Sequence, residues 1–193
     1  MGINIIIGSA NETVIKKLKA FFKENGYNVV GSAMDGYELL RQVHMYHPDV
    51  CVCDFSMKGL NGHEVSQVLI SDRKTAVIAI GSPSENQHYS DIKSDPYFSL
   101  VSKPLNRYVL LTSIQILYKS VRVIKKMEKE IKALKKEMKD RDKIVNAKFI
   151  LMQHKGMSEE EAHKHLLNQS MKEGISKSDA AQLIINFYGE DDF

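Results

Sequence analysis

Residues 50–62 read Val-Cys-Val-Cys-Asp-Phe-Ser-Met-Lys-Gly-Leu-Asn-Gly. Four apolar residues in a row stop at one carboxylate, Asp54, and the chain passes into a loop with two glycines. That is the pattern of a strand buried on both faces with a polar group at its carboxyl end. Working outward, Ile3–Ile7, Tyr27–Ser32, Ala76–Ile80 and Ser99–Ser102 repeat the apolar run. Helical patterns lie between them: from Asn11, a capping residue, to about Asn25, from Gly36 through Tyr46 where Pro48 stops it, from about His63 to Ser71, and near Glu85–Lys93. Strands and helices in alternation predict an α/β fold with a doubly wound sheet of five parallel strands. Right-handed crossovers then place helices on both faces. Functional groups of such sheets collect beyond the carboxyl ends of the strands, where Asp54 and Lys103 fall.

After Pro104 and Leu105 the periodicity becomes helical and runs to about Lys155. Leu110, Leu117, Ile124, Ile131 and Met138 recur every seven residues, and Ile114, Val121, Met127 and Leu134 supply a second row, with Glu128 one slip in it. Sustained heptads with charged flanks predict a coiled coil over 105–155. Its seam would be Leu110, Ile114, Leu117, Val121, Ile124, Ile131, Leu134 and Met138, with a second copy as partner helix. The alternative is a helix folded back on its own sheet. Gly156 then breaks the helix, and Ser158 followed by Glu161 forms a capping box that opens a new one. Gly174 closes that helix at about Glu173, and Ser176 with Asp179 opens a last one. Ala162, Leu166, Leu167, Met171, Ala180, Ala181, Leu183, Ile184 and Phe187 are its core candidates. Residues 139–188 thus predict a small all-α three-helix bundle, with 189–193 as a tail.

The composition is 43% hydrophobic with 11 glycines and 4 prolines, which fits a globular chain. No run of about 18 apolar residues implies a membrane span, and the N-terminus turns polar too soon for a signal peptide. Cys51 and Cys53 alternate along an apolar strand and read as small buried hydrophobes, consistent with a reducing cytoplasm. The net charge is +3, but between Lys119 and Lys155 thirteen Lys and Arg face five Asp and Glu. Such an excess attracts phosphates, or is the solvated face of a surface helix. No nucleophile–base arrangement or metal cluster supports an enzyme.

Residues Met1 to about Ser120, with Asp54-Phe-Ser-Met, Gly59-Leu-Asn-Gly and Ser102-Lys-Pro, resemble a response-regulator receiver domain of flavodoxin-like order. The resemblance implies that Asp54 accepts a phosphoryl group, or is the vestige of an acceptor, and that Lys103 contacts the phosphate. The departures are specific. The acidic pair that holds Mg²⁺ in the family is here Gly8 and Ser9, the hydroxyl switch position is Gly81 with Ser82 beside it, and the aromatic switch position is Leu100. Electrostatic clamping is most of phosphoryl-transfer catalysis, so the chain reads as a degenerate receiver (domain 1–120) with no cofactor and a poor Mg²⁺ site. Glu12 and Asp35 are the substitute ligands to consider.

From about Lys139 to Ile185, Ala147-Lys148, Leu151-Met152, Gly156, Ser158-Glu159, Glu161-Ala162, Leu166 and Ser170-Met171 resemble the ANTAR domain. The resemblance implies binding of tandem RNA hairpins and transcription antitermination, with Lys143, Ala147, Lys148, Met152, His154, Lys155 and His163 as RNA-binding positions. His163 stands where an aromatic is usual, and Leu167 and Asn168 where arginines are common. The expected function is a dimeric RNA-binding antiterminator controlled without phosphorylation, for example through a regulatory protein partner. The alternative is a conventional phosphorelay regulator switched at Asp54. A DNA-binding factor and a coiled-coil adaptor are minor readings, and no membrane partner is expected.

Overall fold

Why the central strands lie where they do follows from their apolar runs. Ile5–Ile7, Val50–Cys53 and Ala76–Ala79 have no solvent-exposed surface, so each strand must be covered on both faces. The computed structural model describes residues 2–189 and provides that cover. Strands β1 (Asn4–Gly8), β2 (Asn28–Ala33), β3 (Val50–Asp54), β4 (Ala76–Gly81) and β5 (Phe98–Ser102) form one sheet of order β2-β1-β3-β4-β5. All neighbours pair in parallel, with one irregularity between Ile5 and Ile6. This is the predicted flavodoxin-like order, and the change of direction between β1 and β3 sets the functional crevice at their carboxyl ends.

The covering helices are α1 (Glu12–Glu24), α2 (Gly36–Tyr46), α3 (Gly62–Ser71) and the start of α4 (Arg107–Lys155). Asn11, Asp35 and Asn61 cap the first three through side-chain oxygens that accept from backbone N–H groups, satisfying donors that a helix start leaves orphaned. The helix expected near Glu85–Lys93 is instead one 3₁₀ turn, Glu85–Tyr89. Its polar side chains explain the change. Glu85 reaches back to the Ser82 N–H and hydroxyl, and Asp91 turns to His63 and Gln67. Only Tyr89 and Ile92 are buried, three residues apart, which suits a 3₁₀ turn better than a longer helix.

Helix α4 brings the main correction. Leu110, Ile114, Leu117 and Val121 are buried in the same core cluster as the sheet, and Ile124 packs partly against it. These five expected seam positions are occupied within their own chain, because an apolar row next to an open sheet face buries there first. Only Ile131, Leu134 and Met138 of the expected seam stay exposed, at 50%, 60% and 66%.

The chain divides within α4, between Lys125 and Lys126. In the C-terminal unit, the end of α4 packs with α5 (Glu159–Glu173) and α6 (Lys177–Gly189). Ala147, Leu151, Ala162, Leu166, Ala181 and Ile184 form its core, joined in part by Ile144, Ile150, Met157, Ile185 and Tyr188. Three small alanines let the helices approach closely. Ser158 and Glu161 make the reciprocal capping box, and the Asp179 N–H donates to the Ser176 hydroxyl. Gly156 and Gly174 adopt φ of 63° and 64°, a left-handed conformation that glycine takes without penalty at a helix end. The Ser178 hydroxyl donates to Asp140 at 2.6 Å, tying α6 to α4. Three core candidates are displaced: Met171, Leu183 and Phe187 are exposed, because alanines fill the interior and leave no room for them. Of the expected tail, residues 190–193 lie outside the described residues.

Leu151→Ala should destabilise this unit by about 2–5 kcal/mol, the usual result of emptying a filled core site. Exposed Gln153→Ala should stay within about 0.5 kcal/mol. Denaturant unfolding of the two variants, with hydrogen exchange to localise the loss to the C-terminal unit, makes the comparison.

Candidate functional site

The first candidate site lies at the carboxyl ends of β1, β3 and β5. Asp54 ends β3 with 14% of its side chain exposed, and one of its oxygens accepts from the Lys103 ammonium at 2.7 Å. The Ser9 hydroxyl reaches the other oxygen at 3.4 Å. Lys103 follows β5 and lies 3.9 Å from Glu85, a residue that the sequence did not single out. The Ser82 N–H, then the hydroxyls of Ser82 and Ser56 and the charge of Lys103, hold the Glu85 carboxyl below the usual range. Glu85 is thus an anion that shares the lysine with Asp54. A groove of about 610 Å³ opens here, lined by Gly8, Ser9, Lys17, Asp54, Ser56, Lys103 and Leu105 among others.

A Mg²⁺ ion does not fit this donor set. A hard cation needs several oxygen ligands, whereas Gly8 offers no side chain and Ser9 only a buried hydroxyl. A Cβ at position 8 would lie 2.3 Å from the Leu39 side chain and 2.8 Å from the Met57 sulfur. Apolar groups therefore fill the room that a carboxylate would need. The two substitutes are engaged elsewhere: Glu12 pairs with Lys16 at 2.8 Å and Asp35 caps α2. Among the described residues no group of three His, Cys, Asp or Glu is placed to hold a metal.

The other receiver positions are structural. Gly81 is the buried last residue of β4, and the neighbouring Ser82 hydroxyl donates to Glu85. Leu100 lies in β5, half-buried against the core. Cys51 and Cys53 are buried free thiols; the hydrogen bond it shares with its neighbour Cys53, and burial, push the Cys51 thiol well up, which keeps it inert.

The second candidate site is the C-terminal unit, where the structure sorts the expected RNA-binding residues. Ala147 is fully buried between the helices, so its side chain cannot touch a ligand and its role is to let them pack. Lys148 is only 18% exposed and donates to Glu159 at 2.6 Å. That bond and the lysine charge hold the Glu159 carboxyl below the usual range. Lys148 is therefore a half-covered, neutralised cation. Lys143 is half-buried, while Met152, His154, Lys155 and His163 are exposed. The His154 ring lies 5.1 Å from that of Tyr188, and the Lys155 ammonium sits 5.9 Å from the Tyr188 ring centre. Sequence reasoning named Glu159 only as part of the ANTAR pattern and missed its pairing with Lys148, and it missed Tyr188. Glu159 was legible as a first-turn acid, but Tyr188 carried no spacing signal that linked it to α4.

Residues 5–115 match the response regulator receiver domain, and residues 132–185 match the ANTAR domain. The transcriptional regulatory protein PdtaR of Mycobacterium tuberculosis is 22% identical over 185 residues, covering 96% of this chain and 90% of that protein. PilH of Pseudomonas aeruginosa is 29% identical over 115 residues, covering 57% of this chain and 93% of that protein. Among solved structures, the receiver domain of a modulated diguanylate cyclase from Desulfovibrio desulfuricans superposes with a TM-score of 0.57 at 20% identity, covering 64% of this chain and 98% of that one. The receiver domain of the putative response regulator NarL from M. tuberculosis does so at 0.53 and 21%, covering 61% and 97%. Both likenesses are of fold. The receiver match spans more than half of the chain, which therefore belongs to the response regulator family and carries an ANTAR domain over residues 132–185.

Proposed function

We propose that the chain is a non-enzymatic transcription antiterminator that binds tandem hairpins in nascent RNA as a dimer, without need of phosphorylation. The carrying observation is the ANTAR match over 132–185 on a separately packed three-helix unit. Its pocket bearing Lys155 and Lys172 suits splayed loop bases and phosphates better than a duplex groove, since specific RNA recognition targets unstacked bases. Two linked units raise the effective concentration at a doubled site.

The dimer reading is supported by a narrower row than the sequence suggested. Met127, Ile131, Leu134, Met138, Val145, Phe149 and Met152 follow each other at intervals of three, four or seven residues and are all exposed. Ile131 and Met138 on this helix face are flanked by Lys132, Lys135 and Lys139. Such a stripe is expected to find a partner helix. No helix among the described residues is long and apolar enough to cross a membrane.

One observation favours the second reading, a phosphorelay regulator. Asp54 opens on a groove and has a lysine at 2.7 Å, the placement a phospho-acceptor needs. Against it stand the apolar fill at position 8 and the engagement of Glu12 and Asp35.

Three experiments test this reading. Purified protein should bind tandem stem-loop RNA in preference to scrambled RNA and duplex DNA, with affinity falling as salt rises. Replacing the exposed Lys155 (Lys155→Ala) should weaken that binding and lower the salt slope by about one, and equal binding to all three nucleic acids would sink the reading. Incubation with an acidic phosphodonor should leave the intact mass unchanged; a prompt gain of one phosphate would favour the second reading. In sedimentation at micromolar concentration the protein should run as a dimer and Leu134→Asp as a monomer.

A further inference from the structure

The C-terminal unit holds a pocket of about 610 Å³ between the end of α4, α5 and α6. Its floor is apolar, from Leu151 and Ile184, which belong to the core. Its rim is not. Lys155 and Lys172 stand at its edge, with Asn168 and Gln169 on α5 and the aromatic pair Phe187 and Tyr188 on α6.

Phe187 is the anomaly. It is 70% exposed, although a large aromatic ring gains most from burial. The Tyr188 ring stands edge-on to it, at 5.0 Å and 79°, and is itself braced by His154 and Lys155. An exposed ring face above a concave floor, with Lys155 and Lys172 as well as Glu173 on the lining, matches the way aromatic side chains receive single-stranded bases. Both rings lie past residue 185, where the ANTAR match ends.

We propose that this pocket takes one unstacked nucleobase of an RNA loop, stacked on Phe187, with Asn168 and Gln169 on the base edge and Lys155 and Lys172 on the adjoining phosphates. The amides suit the task because each presents both a donor and an acceptor. A base within a duplex cannot enter, since both of its faces are covered. This inference rests on the RNA-binding reading above and adds a site to it.

The test uses the full chain, which has no tryptophan, so Phe187→Trp places a single reporter ring in the pocket. The emission of that variant should be quenched by tandem stem-loop RNA and not by a fully paired RNA of the same stem. Phe187→Ala should weaken stem-loop binding roughly 5- to 150-fold, the range for losing one base stack, with an unchanged melting temperature. Met171→Ala, exposed in the same unit but outside the pocket, should bind normally. Wild-type binding together with an unaffected Phe187→Ala, or an unmoved Phe187→Trp emission, would overturn the pocket and leave the RNA reading standing. Wild-type protein that binds no stem-loop RNA would overturn both.

Discussion

One helix has to complete two hydrophobic cores. Leu110, Ile114, Leu117 and Val121 of α4 close the receiver core, and Ala147 and Leu151 of the same helix form the centre of the C-terminal unit. Neither core is filled without it. The small unit, with six buried apolar residues in its cluster, is of a size that is marginal by itself, so helical continuity stabilises it. The stretch between the cores, from Met127 to Met138, has no sheet or bundle of its own to cover it. Its exposed apolar residues follow from that position, and they are where a partner helix has most to gain.

The Asp54–Lys103 pair shows the opposite situation, in which the placement is kept and the chemistry around it has changed. A strand-end carboxylate held by a lysine at 2.7 Å is electrostatically satisfied without a metal or a phosphate. Leu39 and Met57 crowd position 8, where the family's acidic pair would begin. The surrounding core is then apolar up to the edge of the groove, and Glu85 rather than an acidic pair supplies the second anion near Lys103. These features describe a receiver whose sheet end works as a packed structural element. They support the proposal that control does not pass through phosphorylation.

Much of the fold was legible because it rests on period. Continuous apolar runs marked the buried parallel strands, and Ser158 with Glu161 and Gly174 marked both ends of α5. The helix expected at Glu85–Lys93 was misjudged because its polar side chains bond to loops that are distant in sequence, which no local pattern reveals. The seam of α4 was half misplaced for a related reason. A heptad row states that a face is apolar, and it does not state whether a partner helix or the chain's own sheet will cover it. At the candidate RNA surface, Lys148 was found by resemblance, but its ion pair with Glu159 arises from a turn that brings α5 back against α4. Phe187 was read as core from its spacing, yet small alanines already fill that interior and push the ring to the surface.

The most direct test of the account is single-round transcription in vitro through a terminator preceded by tandem hairpins, with the protein added in the presence or absence of an acidic phosphodonor. The account predicts more read-through with the protein, to the same extent in both conditions. No change in read-through, or a rise only with the phosphodonor, would contradict it.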